Sequence, residues 1–327
     1  MSTIRPFEGS DSEYQAVVAV GNAVWPEYLE TVQEWKHRDE TRDPQYRFQR
    51  YVVELDGSII GVGIYCEPAW SFKPGKFYVD GYVHPDHQKR GVGTALYNHL
   101  MKALASYDPA VITASTREDR IQGVRFLAQR GFKQIMRQPV SHLEVMSFDH
   151  ARFADYSARM TELGIKIVSL AEVSANDTDW KRKYWDLEWE LAQDVPTTDP
   201  FTRQSFENFE ERTLGAPGFD PNAHFFALDG NRWAGMSSLW TSQAEPDKLY
   251  TGLTGVVRSH RRKGIATAMK VRVIDFAQRF GARLIETDNE ENNPMYALNL
   301  ALGFKPQPAW LEFEKRLKEM VKALVKK

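Results

Sequence analysis

Two short segments carry the residues best suited to chemistry: Gln88-Lys89-Arg90-Gly91-Val92-Gly93-Thr94 and Arg261-Arg262-Lys263-Gly264-Ile265-Ala266-Thr267. Each follows an apolar, strand-like run and opens a helix-like one. A helix N-terminus presents unpaired backbone N–H groups and a partial positive charge. Gly91 and Gly93 remove side chains, so an anion can approach the main chain closely. Lys89 and Arg90 add charge. The second segment repeats the design, with Ala266 in the place of Gly93. Such a turn suits a pyrophosphate. Neither segment is the dinucleotide pattern G-x-G-x-x-G or the nucleotide pattern G-x-x-x-x-G-K-[ST].

The elements around these turns also repeat. Gln88 and Arg261 lie 173 positions apart in a chain of 327. The strand-like Gly57 to Tyr65 precedes the first turn and Asn231 to Trp240 the second. Gly131-Phe132 follows the first and Gly303-Phe304 the second, with offsets that differ by one residue. A period of this size indicates a duplicated domain. The spacing predicts two halves, 1–150 and 151–327, with the seam in a helix from Asp149 to Leu163, capped by Asp149 and stopped by Gly164. Ser141 to Ser147 reads as a strand before it, with Leu143 and Val145 on one face, and Ile165 to Leu170 as a strand after it. The second half is longer at its front, with expected helices at Trp180 to Ala192 and Arg203 to Gly215. A basic amphipathic helix is expected from Lys315 to Lys327.

Composition narrows the function. Hydrophobic residues make up 42%, charged residues 26%, and the net charge is −2. That balance exerts no general pull on nucleic acid or anionic membrane. No apolar run approaches the ~18–20 residues of a membrane span, and the polar start of the chain does not read as a signal peptide. Cys66 is the single cysteine, so no internal disulfide forms and a cytoplasmic setting is expected. It reads as a small buried apolar residue. His84, His87 and His260 flank the turns without metal-ligand spacing; no metal is expected, and surface or phosphate-proximal roles fit them.

Both turns match [Q/R]-x-x-G-x-[G/A], and the chain therefore resembles the GCN5-related N-acetyltransferase (GNAT) superfamily in a tandem, two-domain form. The Gly-Phe pairs and the strand before each turn match as well. The resemblance implies an α/β (α+β) fold of two tandem acyl-CoA N-acyltransferase domains. Each is a mixed, mostly antiparallel sheet flanked by helices, splayed between its fourth and fifth strands. The fourth strands would be Phe77 to Val83 and Tyr250 to Val257, and the fifth Val111 to Ser115 and Arg283 to Asn289. Acetyl-CoA is the implied acyl donor. It would be held by Val83, by Gln88 to Thr94, by Val256 and Val257, by Arg261 to Thr267 (including Lys263), and by Asn292, eleven residues before Gly303, where the family often has an asparagine. The acceptor would be an amine of a small molecule or peptide. Transfer would be direct, with a backbone N–H near Val83 or Val256 steadying the oxyanion.

The family often places a tyrosine four residues before the Gly of Gly-Phe as the acid. This chain has Leu127 and Asn299 there, and Arg120 where the first copy would have its asparagine. Copy one departs at two positions and copy two at one, so the C-terminal copy is expected to be the working centre, with Asn299 and Asp288 as its catalytic candidates. Glu286 and Asp288 share one face of the fifth strand, Asp80 and Tyr82 one face of the fourth in copy one. The acidic run Asp288 to Glu291 could draw a cationic amine. Trp180, Trp185, Trp189 and Phe201, near Asp194 and Asp199, could line an acceptor pocket or form core. The missing tyrosines leave a non-catalytic acyl-CoA sensor as the alternative, and a homodimer remains open.

Overall fold

A computed structural model describes residues 2–317. The chain forms two compact units that are not its two halves in order: one is Met1–Arg137 with Trp310–Lys327, the other Gln138–Ala309. A single cut after residue 150 would divide the second unit's polypeptide and leave the first without its last segment.

The first unit contains β1 (Thr3–Pro6), α1 (Asp11–Val24), α2 (Val32–Glu40), β2 (Phe48–Leu55), β3 (Ser58–Cys66), β4 (Lys76–Val83), α3 (Val92–Leu104), β5 (Val111–Arg117), α4 (Ile121–Gln129) and the start of β6 (Lys133–Glu144). β1 to β4 run antiparallel to their neighbours, and β4 and β5 pair in parallel. α1 and α2 bury Tyr14, Val17, Val18 and Trp35 against Val52 and Val62 on one face. α3 and α4 bury Leu96, Leu100, Leu104 and Leu127 against Val53, Phe77, Val79 and Ile112 on the other. Strand alternation makes this possible, since neighbours on β4 and β2 point to opposite faces. Gly63 lets α3 approach: a Cβ there would stand 2.8 Å from a Leu96 methyl.

The second unit contains α5 (Asp155–Glu162), β7 (Ile165–Ser169), α6 (Leu170–Ser174), α7 (Trp180–Ala192), α8 (Phe206–Phe209), β8 (His224–Asp229), β9 (Arg232–Thr241), β10 (Lys248–Val256), α9 (Ile265–Phe280), β11 (Leu284–Asp288), α10 (Pro294–Ala301) and the start of β12 (Lys305–Arg316). Its pairing repeats the first unit's: antiparallel from β7 to β10, then parallel between β10 and β11.

The sixth strand of each unit is exchanged. Trp310 to Arg316 of β12 pairs antiparallel with β5, and Leu311 and Phe313 complete the first core. Val140 to Glu144 of β6 pairs antiparallel with β11, and Leu143 and Val145 complete the second. Both strands carry a Gln-Pro pair where they change unit, Gln138-Pro139 and Gln307-Pro308. A proline has no N–H to leave unpaired where a strand drops one ladder for another.

Several local expectations shift. The seam helix divides into a tight turn over His150–Phe153, capped by Asp149, and α5. β6 stops at Glu144, and Val145–Ser147 is a turn of 3-10 helix. The helix expected from Arg203 starts at Phe206 and ends in a wide π turn at Glu210–Leu214. Lys315 and Arg316 end β12 rather than start a helix; the rest of that expected helix, from 318 on, lies outside the described residues. No described helix is long and apolar enough to cross a membrane.

Lys270 on α9 is 1% exposed and has no carboxylate partner among the described residues. Burial drives its pKa from 10.5 down to about 7. The unfolded chain therefore holds this proton more tightly, and stability rises with pH from about 7 toward 10.5. Between pH 7 and 9, chemical unfolding should show this rise at up to about 1.4 kcal/mol per pH unit, and Lys270→Met should remove it.

Candidate active site

The site starts where two strands part. β4 and β5 pair only from Lys76/Val111 to Tyr78/Thr113, yet β4 continues to Val83 and β5 to Arg117. The free edge of β4 beyond Tyr78 leaves a slot that an extended ligand can join as a strand would. β10 and β11 repeat this, pairing from Lys248/Leu284 to Tyr250/Glu286 and then separating.

Each slot leads to a glycine turn. Lys89 and Gly91 both adopt left-handed backbone, φ 59° and 83°, as do Arg262 and Gly264, φ 61° and 85°. A lysine or arginine held there costs about 1–2 kcal/mol, and the same left-handed pair recurs in both copies. Val92, Gly93 and Thr94 form the first turn of α3; Ile265, Ala266 and Thr267 form that of α9. The first residue of each motif is a clamp. Gln88 Nε2 donates to Val83 O at 2.9 Å, and Arg261 Nε donates to Val256 O at 2.9 Å. A long donor at this position ties the turn to the last residue of the strand before it. Val257, just beyond β10, donates its N–H to Ala234 O. Gln88→Ala should therefore weaken anion binding at the first turn roughly five- to tenfold, about 1 kcal/mol for one hydrogen bond, as read by acetyl-CoA titration.

Arg130, which the sequence reading missed, adds to the first turn. Its guanidinium donates to Thr94 Oγ1 at 2.9 Å and lies over the Phe126 ring. Lys89, Arg90 and Arg130 together make the mouth of the first slot cationic.

On the α1/α2 face of the first slot, Tyr78, Asp80 and Tyr82 project from β4, and Ser115 and Arg117 from β5. Tyr78 and Ser115 hydroxyls meet at 2.7 Å. Asp80 is half-buried, and the removal of water pushes its carboxyl up to about 6, against one opposing hydrogen bond from Gly81 N–H at 2.7 Å. Burial and the Asp80 charge also raise both tyrosines. The loop after α1 closes the far side: Arg120 donates to both oxygens of Glu27 at 2.7 and 2.8 Å, and Trp25 and Tyr28 pack on Trp310. Arg120, which stands where the family has asparagine, thus holds this loop. Leu127 is buried in the core.

The second slot is built differently. Asn299 is 1% exposed; its Nδ2 donates to Asn289 Oδ1 at 2.7 Å, while its own Oδ1 is buried without a partner among the described residues. Glu286 is tied to His142 at 2.7 Å and Lys248 at 3.1 Å. Asp288 is raised by burial and by Glu286. Its side chain lies at the exposed end of β11. Asn292 is exposed and folds onto Glu290. Trp180, Trp185 and Phe206 pack around buried Tyr184 and Phe209 as core, and Arg203 lies on Trp185 and Trp189. Glu188 was missed by the sequence reading. It sits four residues after buried Tyr184 on the apolar stripe of α7, and burial raises it to about 7. A lone carboxylate at a core-facing helical position was the available signal. His260 is buried and bonded to Asp229 at 3.0 Å, a structural and not a surface role. Cys66 is buried and in no disulfide among the described residues. No group of three or more metal-ligating side chains occurs among the described residues.

A mixed sheet that opens beside a basic glycine turn, twice in one chain, defines an acyltransferase architecture. The chain belongs to the acetyltransferase (GNAT) family, whose profile matches residues 14–132 and 182–304. It resembles a tandem GNAT protein from the clavulanic acid biosynthesis pathway, solved without AcCoA, at 22% identity over 97% of this chain and 98% of that one, TM-score 0.76. It also resembles a GCN5-related N-acetyltransferase from Sphaerobacter thermophilus at 17% identity over 96% and 95%, TM-score 0.68. A search of curated proteins finds no match.

Proposed function

We propose that this enzyme transfers an acetyl group from acetyl-CoA directly to an amine of a small molecule or peptide. The observation that carries this reading is the juxtaposition in the first unit of an open strand edge, a basic glycine turn and a half-buried carboxylate raised to about 6, Asp80. The pyrophosphate of the donor would rest on the turn, with Lys89, Arg90 and Arg130 countering its charge. The thioester arm would follow the free edge of β4. The amine nitrogen attacks the thioester carbonyl, a backbone N–H near Val83 supports the oxyanion, and the C–S bond breaks. Asp80, directly or through one water, takes the amine proton, and the thiolate is protonated from solvent because Leu127 offers no acid. The first unit thereby has a base but no phenol at the family's acid position.

The C-terminal copy, preferred from sequence, retains support from one feature. The buried, unpartnered Asn299 Oδ1 would accept an amide N–H of the donor arm. The reading as a whole is tested by thiol release from acetyl-CoA with a panel of primary amines. Turnover with at least one amine supports it. Binding of acetyl-CoA without turnover for any amine would favour the sensor instead.

A further inference from the structure

The two glycine turns share a backbone and differ in what surrounds them. Apart from its chain neighbours, no atom of the described residues lies within 4 Å of where a side chain on Gly91 would begin. At Gly264 the same direction is filled: ring carbons of Tyr156 stand 3.0 and 3.2 Å away and Arg159 Cδ 3.7 Å away. The first helical turns follow suit. Thr94 and Ala95 are exposed, whereas the matching Thr267 and Ala268 are 8% and 5% exposed.

The cover is built into a core. Tyr156 and Arg159 belong to α5, which buries Met160 in a cluster with Ile165, Val256, Ile265, Ala268 and Met269. Ala266 packs on that cluster, where the first copy has Gly93 with only ordinary contacts to Phe126 and Val83. A methyl group in place of hydrogen thus suits a packed turn, and hydrogen an open one.

Charge differs too. Lys89 and Arg90 are exposed and have no carboxylate partner among the described residues. In the second copy, Arg258 and Arg261 both pair with Asp194 at the end of α7, and these two guanidinium groups hold that carboxyl below the usual range. Arg262, Lys263 and Arg159 have no ion pair among the described residues, so the second turn is still cationic; it is steric cover and the ion-paired Arg261 that set it apart.

Resting on the acyl-CoA reading of both turns, we infer that the donor's pyrophosphate binds at the first turn alone, and that α5 occupies the matching place in the second copy. The chain then loads one acetyl-CoA, in the unit that carries Asp80, against the sequence-based preference for the C-terminal copy. The second copy serves to complete the first through β12 and to hold its own closed turn.

Calorimetric titration of the full chain with acetyl-CoA tests this. One site per chain is expected. Lys89→Glu with Arg90→Glu should weaken binding at least thirtyfold, since each reversal turns an attraction for phosphate into a repulsion. Arg262→Glu with Lys263→Glu, also on exposed or half-buried surface, should leave affinity within about threefold. Among the described residues these side chains have no ion-pair or hydrogen-bond partner, so circular dichroism should show both proteins folded. Two sites per chain, or loss of binding only in the second variant, would overturn the inference while leaving the acyl-donor reading intact. No binding by the unaltered chain would overturn both.

Discussion

Replacing Asp80 by asparagine should lower kcat by about two to four orders of magnitude, the usual contribution of a general base. KM for acetyl-CoA should change little, because the turn proposed to hold the donor is untouched. The unaltered enzyme should lose rate below about pH 6, tenfold per unit, as the carboxylate takes up its proton. The variant should lack that limb. The same raised pKa has a stability consequence. Asp80 binds its proton more tightly when folded, so its contribution to stability declines as pH rises from 3.8 to about 6. At pH 7 the asparagine variant should accordingly be no less stable than the parent. A slow enzyme that is equally or more stable marks a catalytic group; a slow and destabilised one would mark a structural group. Retention of more than a third of the rate, or of the acid limb, would exclude Asp80 as the base.

Phe313→Ala should destabilise the first unit by about 3–5 kcal/mol, the cost of emptying a large buried aromatic site. Phe313 lies near the end of the chain and is 3% exposed, packed in the core that holds Phe77, Leu100 and Ile112. Hydrogen exchange should therefore quicken in β4, β5 and α3, some two hundred residues earlier in sequence, and stay slow in β11. The reciprocal Leu143→Ala should loosen the second unit, by about 2–5 kcal/mol, although Leu143 lies in the first half of the sequence. If Phe313→Ala instead opens β10 and β11, the strand exchange is wrong.

The strand exchange shows where reading residues in order stops. The alternation of Leu143 with its neighbours, and of Leu311 with Phe313, marks strands with one buried face. Alternation is a local property and does not say which edge the strand joins. Two edges of the same kind, β5 and β11, were available to both strands, and the partner followed from the path of the whole chain. The front of the second unit was legible for a different reason: Tyr184, Leu187 and Leu191 recur at helical spacing and bury one side of α7, which spans the expected Trp180–Ala192. The wide π turn after α8 was not, since one added residue per turn leaves a helical pattern nearly intact.

The chemistry divides along the same line. The pattern of glycine, cations and a strand-end clamp lies within seven consecutive residues, and local backbone sterics suffice to shape it, so both turns could be read directly and have nearly identical dihedrals. What such a turn can bind depends on what else reaches it. Tyr156 lies more than a hundred residues from Gly264 and Asp194 more than sixty from Arg261, and their effects are steric and electrostatic contacts through space. The proton affinities of Asp80 and Glu188 belong with these. A carboxylate shifts only when other parts of the chain exclude water from it, and no neighbour in sequence reports that. The residues by themselves determined the duplicated fold, the family and the two basic glycine turns, because those rest on short-range geometry. Tertiary structure alone decided which strand completes which unit, which turn stays open and which acid is raised, because packing and desolvation act between segments far apart in the chain.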